Sequence, residues 1–210
     1  MSTKSKDILR REKMETTLPT LLDMFAATKL TEGKARKTVD WYVWMMGKYI
    51  AFVGADSTLK RFDLQTARSF VASLQAKESR YENHPVSPEK KGKLSAYTIH
   101  GYVRTLKVFS AWLYEEGFTT TDVLTKLKRP KLPQTMIEVL TDEEIGRIMD
   151  SINPNTYLGA RLYTIVLLLL DTGIRADELL GLTVENTDVE GGRLKVRGYN
   201  GWRKLDTKTA

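Results

Sequence analysis

The sequence predicts a mainly α protein, with an all-helical first domain followed by a smaller α+β second domain. Three observations carry that expectation. Long segments before residue 118 repeat apolar residues at helical spacing. A stretch rich in lysine and proline, "LTKLKRPKLPQTM", then breaks the pattern. Beyond it, "GRLKVRG" alternates apolar and charged residues with the period of a strand.

Residues 1–16 are polar and charged and read as a flexible basic arm. Residues 17–124 form the helical domain. "TLPTLLDMFAATK" is its first helix, with Pro19 near the start, where a missing N–H costs nothing. Leu18, Leu21, Leu22 and Phe25 make one apolar face. A turn leads into "TEGKARKTVDWYVWMMGKYIAFVG", where Val39, Tyr42, Val43, Met46 and Ile50 recur at helical spacing and Gly54 is the stop. Trp41 and Trp44 are expected in the core with Tyr102, Phe109 and Trp112. Leu64–Lys77 is a third helix capped by Asp63. "ESRYENHPVSPEKKGKLS" reads as an exposed loop. A fourth helix runs from Ser95 to just before Gly117, burying Ile99, Tyr102, Val103, Leu106, Phe109 and Leu113.

Residues 125–138 read as a basic linker, since prolines block helix continuation and like charges resist compaction. The second domain, 139–210, opens with a capping box of Thr141 and Glu144. Ile145, Ile148 and Met149 give that helix a stripe expected to be buried. Gly159–Leu170 is apolar nearly all round and is expected in a core.

The formal net charge of +7 favours an acidic partner, of which nucleic acid is the commonest. Cysteine is absent, which excludes disulfides and thiolate-held metal. No ligand spacing suggests a metal or a cofactor. The N-terminal segment has no apolar signal core, and the longest apolar run, Ile165–Leu170, is too short to span a bilayer. The expected location is the cytoplasm, with no membrane partner.

The chemistry concentrates in "LLLLDTGIRADELLGL", residues 167–182. Gly173 can end the apolar helix in the left-handed conformation. Arg175 and Glu178 then share a face of a new short helix, anchored by Leu179 and Leu182. An arginine held this way suits bidentate contact with a phosphate, with Glu178 orienting it. A plain ion pair capping a turn accounts for the same residues, and chemistry alone leaves both readings open.

This stretch resembles the first arginine box of the tyrosine recombinases, the phage integrase family of DNA strand-exchange enzymes. Thr172, Gly173, Arg175, Glu178, Leu179 and Leu182 stand at the family's spacing. "GKARKTVDWYVWMMGKYIAFVG", "LSAYTIHGYVRTLKVFSAWLYEEGF" and "LKRPKLPQTMIEVLTDEEIGRIMD" resemble further family segments in the same order. The resemblance implies a SAM-like core-binding domain of four to five helices, followed by the N-terminal part of an α+β catalytic domain. It implies that Arg175 contacts the scissile phosphate and that Glu178 supports it as the second catalytic residue. The family's hairpin lysine falls on Tyr199, leaving Lys204 or Arg203 to reach inward. Tyr199 itself reads as a turn residue packing on Trp202 rather than as a nucleophile. The family's His-x-x-Arg box and nucleophilic tyrosine are not in this sequence, so the expectation is a truncated catalytic domain that binds DNA without cleaving it.

Double-stranded DNA is the expected partner. Lys34, Arg36 and Lys37 are candidate contacts at the second helix, and Thr98, His100, Arg104 and Lys107 on the fourth. Lys126, Lys128, Arg129 and Lys131 form a strap able to displace counterions from a phosphate backbone. A helical module that pairs with itself or with a full-length recombinase is the rival expectation, and a fragment of an active recombinase is a third.

Overall fold

A computed structural model describes residues 13–80, 88–134, 136, 138–198 and 201–207. The chain divides into two units, residues 1–135 and 136–210.

Several helices of the first unit begin where a short polar side chain accepts an otherwise unpaired N–H, while the one after Ala35 starts without such a cap. Thr17 does this for α1 (Leu18–Thr31). α2 (Arg36–Val53) ends at Gly54. Asp63 caps α3 (Leu64–Ala76) through the Thr66 N–H at 2.8 Å. Ser95 caps α4 (Ala96–Glu115) through the Thr98 N–H at 3.1 Å.

The apolar stripes of these helices close on one another. Phe25 of α1 meets Tyr42, Phe109 and Trp112 edge-on at 5.3–5.8 Å between ring centroids. Tyr49 meets Phe62 and Phe70 in the same way. This geometry places positive ring edges on negative ring faces and adds to the area buried. α4 is the axis of the unit, with Ile99, Tyr102, Val103, Leu106, Phe109, Trp112 and Leu113 all buried.

Some expectations for this unit fail. Trp44 is 52% exposed, lying over Tyr102 at the surface rather than in the core. Residues 78–95 are not only loop, because β1 (Ser79–Arg80) pairs antiparallel with β2 (Lys90–Lys91). Two-residue strands are too short to display an alternating pattern. The core also runs past residue 124, since Leu127 is buried with Leu124 under the helices. The stretch expected to be a linker therefore begins inside the first unit.

The second unit opens with α5 (Asp142–Asp150), whose Thr141–Glu144 capping box forms as the spacing predicts. α6 (Tyr157–Thr172) follows, then α7 (Ala176–Leu180). An antiparallel sheet of order β3–β4–β5 completes the described residues, with β3 at Thr187–Asp188, β4 at Arg193–Gly198 and β5 at Gly201–Asp206. β4 alternates as its sequence predicts: Leu194 and Val196 are buried, while Arg193, Lys195 and Arg197 are exposed.

α5, with its apolar stripe, and the apolar helix α6 depart from the burial expected of them. No residue of α5 or α6 is buried. Leu158 is 72% exposed, and Leu162, Leu169 and Leu170 are exposed with it. Ile148 of α5 is exposed too. An apolar stripe states a need for cover, and the cover depends on which elements reach it. No described helix is long and apolar enough to cross a membrane.

Candidate phosphate-binding and DNA-facing site

The site in the second unit is assembled at the end of α6. The Thr172 hydroxyl donates to the Leu168 carbonyl and accepts the Ile174 N–H, closing the last turn. Gly173 then takes φ 59°, ψ 27°, the left-handed conformation that side chains disfavour. The reversal drives Ile174 into a small core with Leu194 and Val196, against which Leu179, Leu182 and Leu205 pack. With Ile174 turned in, Arg175 is turned out. The role of Thr172 was legible as a motif position but not as this double hydrogen bond.

Glu178 is the pivot. It is 5% exposed, yet both of its carboxylate oxygens accept hydrogen bonds. Its Oε2 accepts the Arg175 backbone N–H at 3.0 Å, the reciprocal half of a capping box at the start of α7. Its Oε1 accepts from Arg175 Nη1 at 3.0 Å. Arg203 Nη2 donates to Oε2 at 2.6 Å. The Arg203 hydrogen bond and then those from Arg175 bring the Glu178 carboxyl down to about 2, against an ordinary value of 4.5. Room for the carboxylate comes from Gly198, where a Cβ would stand 2.9 Å from Oε1.

The Arg175 side chain is 72% exposed while held at one end by this carboxylate. Its remaining N–H donors can thus face a ligand without losing the tether. The ion-pair reading and the phosphate reading describe two sides of the same guanidinium.

Register decides between the two hairpin cations. β5 pairs with β4 so that Arg203 lies opposite buried Val196, and Lys204 lies opposite exposed Lys195. Arg203 therefore faces inward and Lys204 outward. Lys195 lies over the Trp202 ring at 5.0 Å on that outer face. Tyr199, the position of the family's lysine, lies outside the described residues.

In the first unit, the candidate contacts separate into groups. Lys126, Lys128, Arg129 and Lys131 lie on the strap, which is not a loose tether. Lys107 donates to the carbonyls of Leu124, Thr125 and Leu127 at 3.0–3.3 Å. The Tyr97 hydroxyl donates to the Pro133 carbonyl at 3.1 Å. Tyr97 lies in the first turn of α4 and Lys107 near its middle, so the strap runs back along the N-terminal half of that helix. His100 and Arg104 lie on the flank between the anchors, and Arg104 is exposed. The arrangement places a row of cations along one side of α4.

Lys107 has partners within the first unit. Its ammonium has three donors, and all three meet backbone carbonyls. It fastens the strap. Thr98 is displaced: at about 100° per residue it lies roughly 120° around α4 from Arg104. Its hydroxyl pairs with that of Ser95 at the helix cap. Lys34 precedes α2 rather than decorating it, and its N–H bonds to the Lys29 carbonyl. Arg36 and Lys37 are exposed in the first turn of α2, with Arg36 bonded to Asp40 at 3.2 Å. The sequence reading passed over Arg80, Lys90 and Lys91, exposed cations of the β1–β2 hairpin that precedes α4. Their charge run was the signal available.

Among the described residues, no group of three His, Cys, Asp or Glu comes together as a metal site.

Residues 138–209 match the phage integrase family. The tyrosine recombinase XerA of Pyrococcus furiosus is 30% identical over 181 residues, covering 86% of this chain and 53% of that protein. XerA of Pyrococcus horikoshii is 27% identical over 191 residues, covering 91% of this chain and 56% of that one. The chain spans about half the length of the curated relatives it matches. A lambda integrase tetramer bound to a Holliday junction matches with a TM-score of 0.70 at 16% identity, covering 100% of this chain and 56% of that one. At that identity the structural likeness establishes the fold. The arginine box built on Gly173, Arg175 and Glu178, the order of the helical segments before it and these relatives agree: residues 138–209 match the phage integrase family, and the chain is similar along most of its length to tyrosine recombinases.

Proposed function

We propose that this chain is a DNA-binding protein of the tyrosine recombinase type. The first unit lies against duplex DNA through the strap (Lys126, Lys128, Arg129, Lys131) and the adjoining flank of α4 (Arg104 and His100), with Arg36, Lys37 and Lys34 adding charge. In the second unit, Arg175 stabilises charge on the oxygens of a backbone phosphate. Glu178 orients it. The observation that carries this reading is the exposed Arg175 guanidinium, held at one point by a buried carboxylate. A purely structural ion pair has no need to leave the cation so open.

The alternative assignment is a fragment of an active recombinase, which would act through a 3′-phosphotyrosyl intermediate. For this chain we assign binding and phosphate contact without cleavage, in the cytoplasm. Residues 125–138, anchored through Leu127 in the first unit's core, lead from the core-binding domain, expected over 17–124, to a partial catalytic domain (139–210), with 1–16 as a basic arm. Titration of a labelled duplex at several salt concentrations tests this. Binding should weaken steeply with salt, and removal of Lys128 and Arg129 should flatten the slope by about 0.9 per lost phosphate contact. Absence of binding at low salt overturns the reading. Incubation with a nicked duplex should leave no covalent adduct, and an adduct would favour the active fragment instead.

The exposed leucines of α6 favour a second reading, association with another copy or with an intact recombinase. A pull-down with an intact relative in the absence of DNA tests it, and failure to associate counts against it.

A further inference from the structure

Arg203 has no role in the function proposed above, yet it makes the shortest contact to the pivot of the site, 2.6 Å to Glu178 Oε2. Its side chain is 40% exposed, while that of Glu178 is almost fully covered. The position is a product of register. Only the inward face of β5 can reach Glu178, and Arg203 shares that face with Leu205. The close approach of Gly198 to the carboxylate brings the hairpin near enough.

The electrostatic consequence follows from counting charges. Arg175 and Glu178 alone form a neutral pair. Seen by an approaching phosphate, the carboxylate offsets most of the attraction of the guanidinium, because the two lie 3.0 Å apart. A second guanidinium on the same carboxylate returns the cluster to one net positive charge. The tether of Arg175 is then kept without loss of its field.

We propose that Arg203 is a positioning residue of this site: it neutralises Glu178, so that the charge of Arg175 stays available to an anionic phosphate. This rests on the reading that Arg175 meets a DNA phosphate. Arg203 acts through Glu178 and does not itself contact the DNA.

The test is a charge-swap cycle on the full chain, read as binding of a fluorescently labelled mixed-sequence duplex across a salt series. Arg203→Gln weakens binding and flattens the log–log salt slope by up to about 0.9, the value for one neutralised phosphate. Arg203→Lys, which keeps the charge, stays close to the wild type. In the double variant Glu178→Gln, Arg203→Gln, the carboxylate to be compensated is gone, and both affinity and slope return toward wild type. A double variant as weak as Arg203→Gln alone overturns the proposal, because it would mean that Arg203 contacts DNA or only supports the fold. Should Arg203→Gln misfold, Arg203→Lys and the double variant decide by the same criteria, with thermal unfolding as the check on folding. Failure of the underlying reading is separable: Arg175→Gln would then bind like the wild type. If Arg175→Gln weakens binding and Arg203→Gln does not, only the role of Arg203 falls.

Discussion

The two units use the same raw material to different ends. In the first, aromatic and aliphatic stripes on α1, α2, α3 and α4 meet one another, and rings such as Phe25, Tyr49, Phe109 and Trp112 are almost wholly covered. In the second, Ile174, Leu194 and Val196 form a small core beside the sheet, while Leu158, Leu162, Leu169 and Leu170 of α6 lie exposed. Helical periodicity is equally plain in both. The difference teaches that a stripe specifies which face seeks cover, whereas burial needs a partner at the right distance. It also shows how a polar site can be ordered beside a small core. Glu178 is held by three hydrogen bonds, not by packing on every side.

The largest expected effect sharpens that contrast. Phe109→Ala removes a ring shared by Phe25, Phe62 and Trp112 and should destabilise the first unit by about 3–5 kcal/mol in chemical denaturation. Leu194→Ala should destabilise the second unit by about 2–3 kcal/mol, near the lower end for buried leucines, because fewer neighbours surround it. Comparable losses at the two positions would break the comparison.

Lys107→Met should come next, at about 1.5–3 kcal/mol, for loss of charge-assisted bonds to the strap. Measured at a temperature where the variant is folded, its DNA salt slope should stay nearer the wild type than that of Lys128→Ala. A full one-phosphate drop in slope would return Lys107 to the DNA-facing set.

The acid limb separates the units in another way. The Glu178 carboxyl lies at about 2 in the folded chain and in the ordinary carboxylate range when unfolded. A depressed folded value stabilises above the unfolded one and is lost as pH falls toward the folded one. The second unit should therefore weaken between about pH 5 and pH 2. Arg203→Gln should blunt that dependence, as followed by circular dichroism. An unchanged acid profile in the variant would mean that Arg203 does not hold the carboxylate down. The smallest effect belongs to α6: Leu158→Gln should change the stability of this chain by no more than about 0.5 kcal/mol, as expected for an exposed position. A loss of several times that would show that the helix has cover.

Much of this was legible in the sequence because it is local. Asp63, Ser95 and Thr141 announce helix starts through hydrogen bonds that span only three residues. Gly173 announces a stop because its conformation is a property of one residue. The pairing of Arg175 with Glu178 follows from helix pitch. The alternation of β4 follows from the pleat. Tertiary structure alone decided the rest. That Lys107 fastens the strap depends on a segment nearly twenty residues away folding back beneath its ammonium. That Arg203 and not Lys204 reaches Glu178 depends on strand register, where a shift of one residue exchanges the two faces. Exposure of Trp44 and of the α6 leucines depends on what packs beside them, which no helical period contains. Local hydrogen bonds and backbone preferences act over a few residues and can be read in order along the chain. Cover, register and charge compensation arise between distant residues and exist only once the chain has closed on itself.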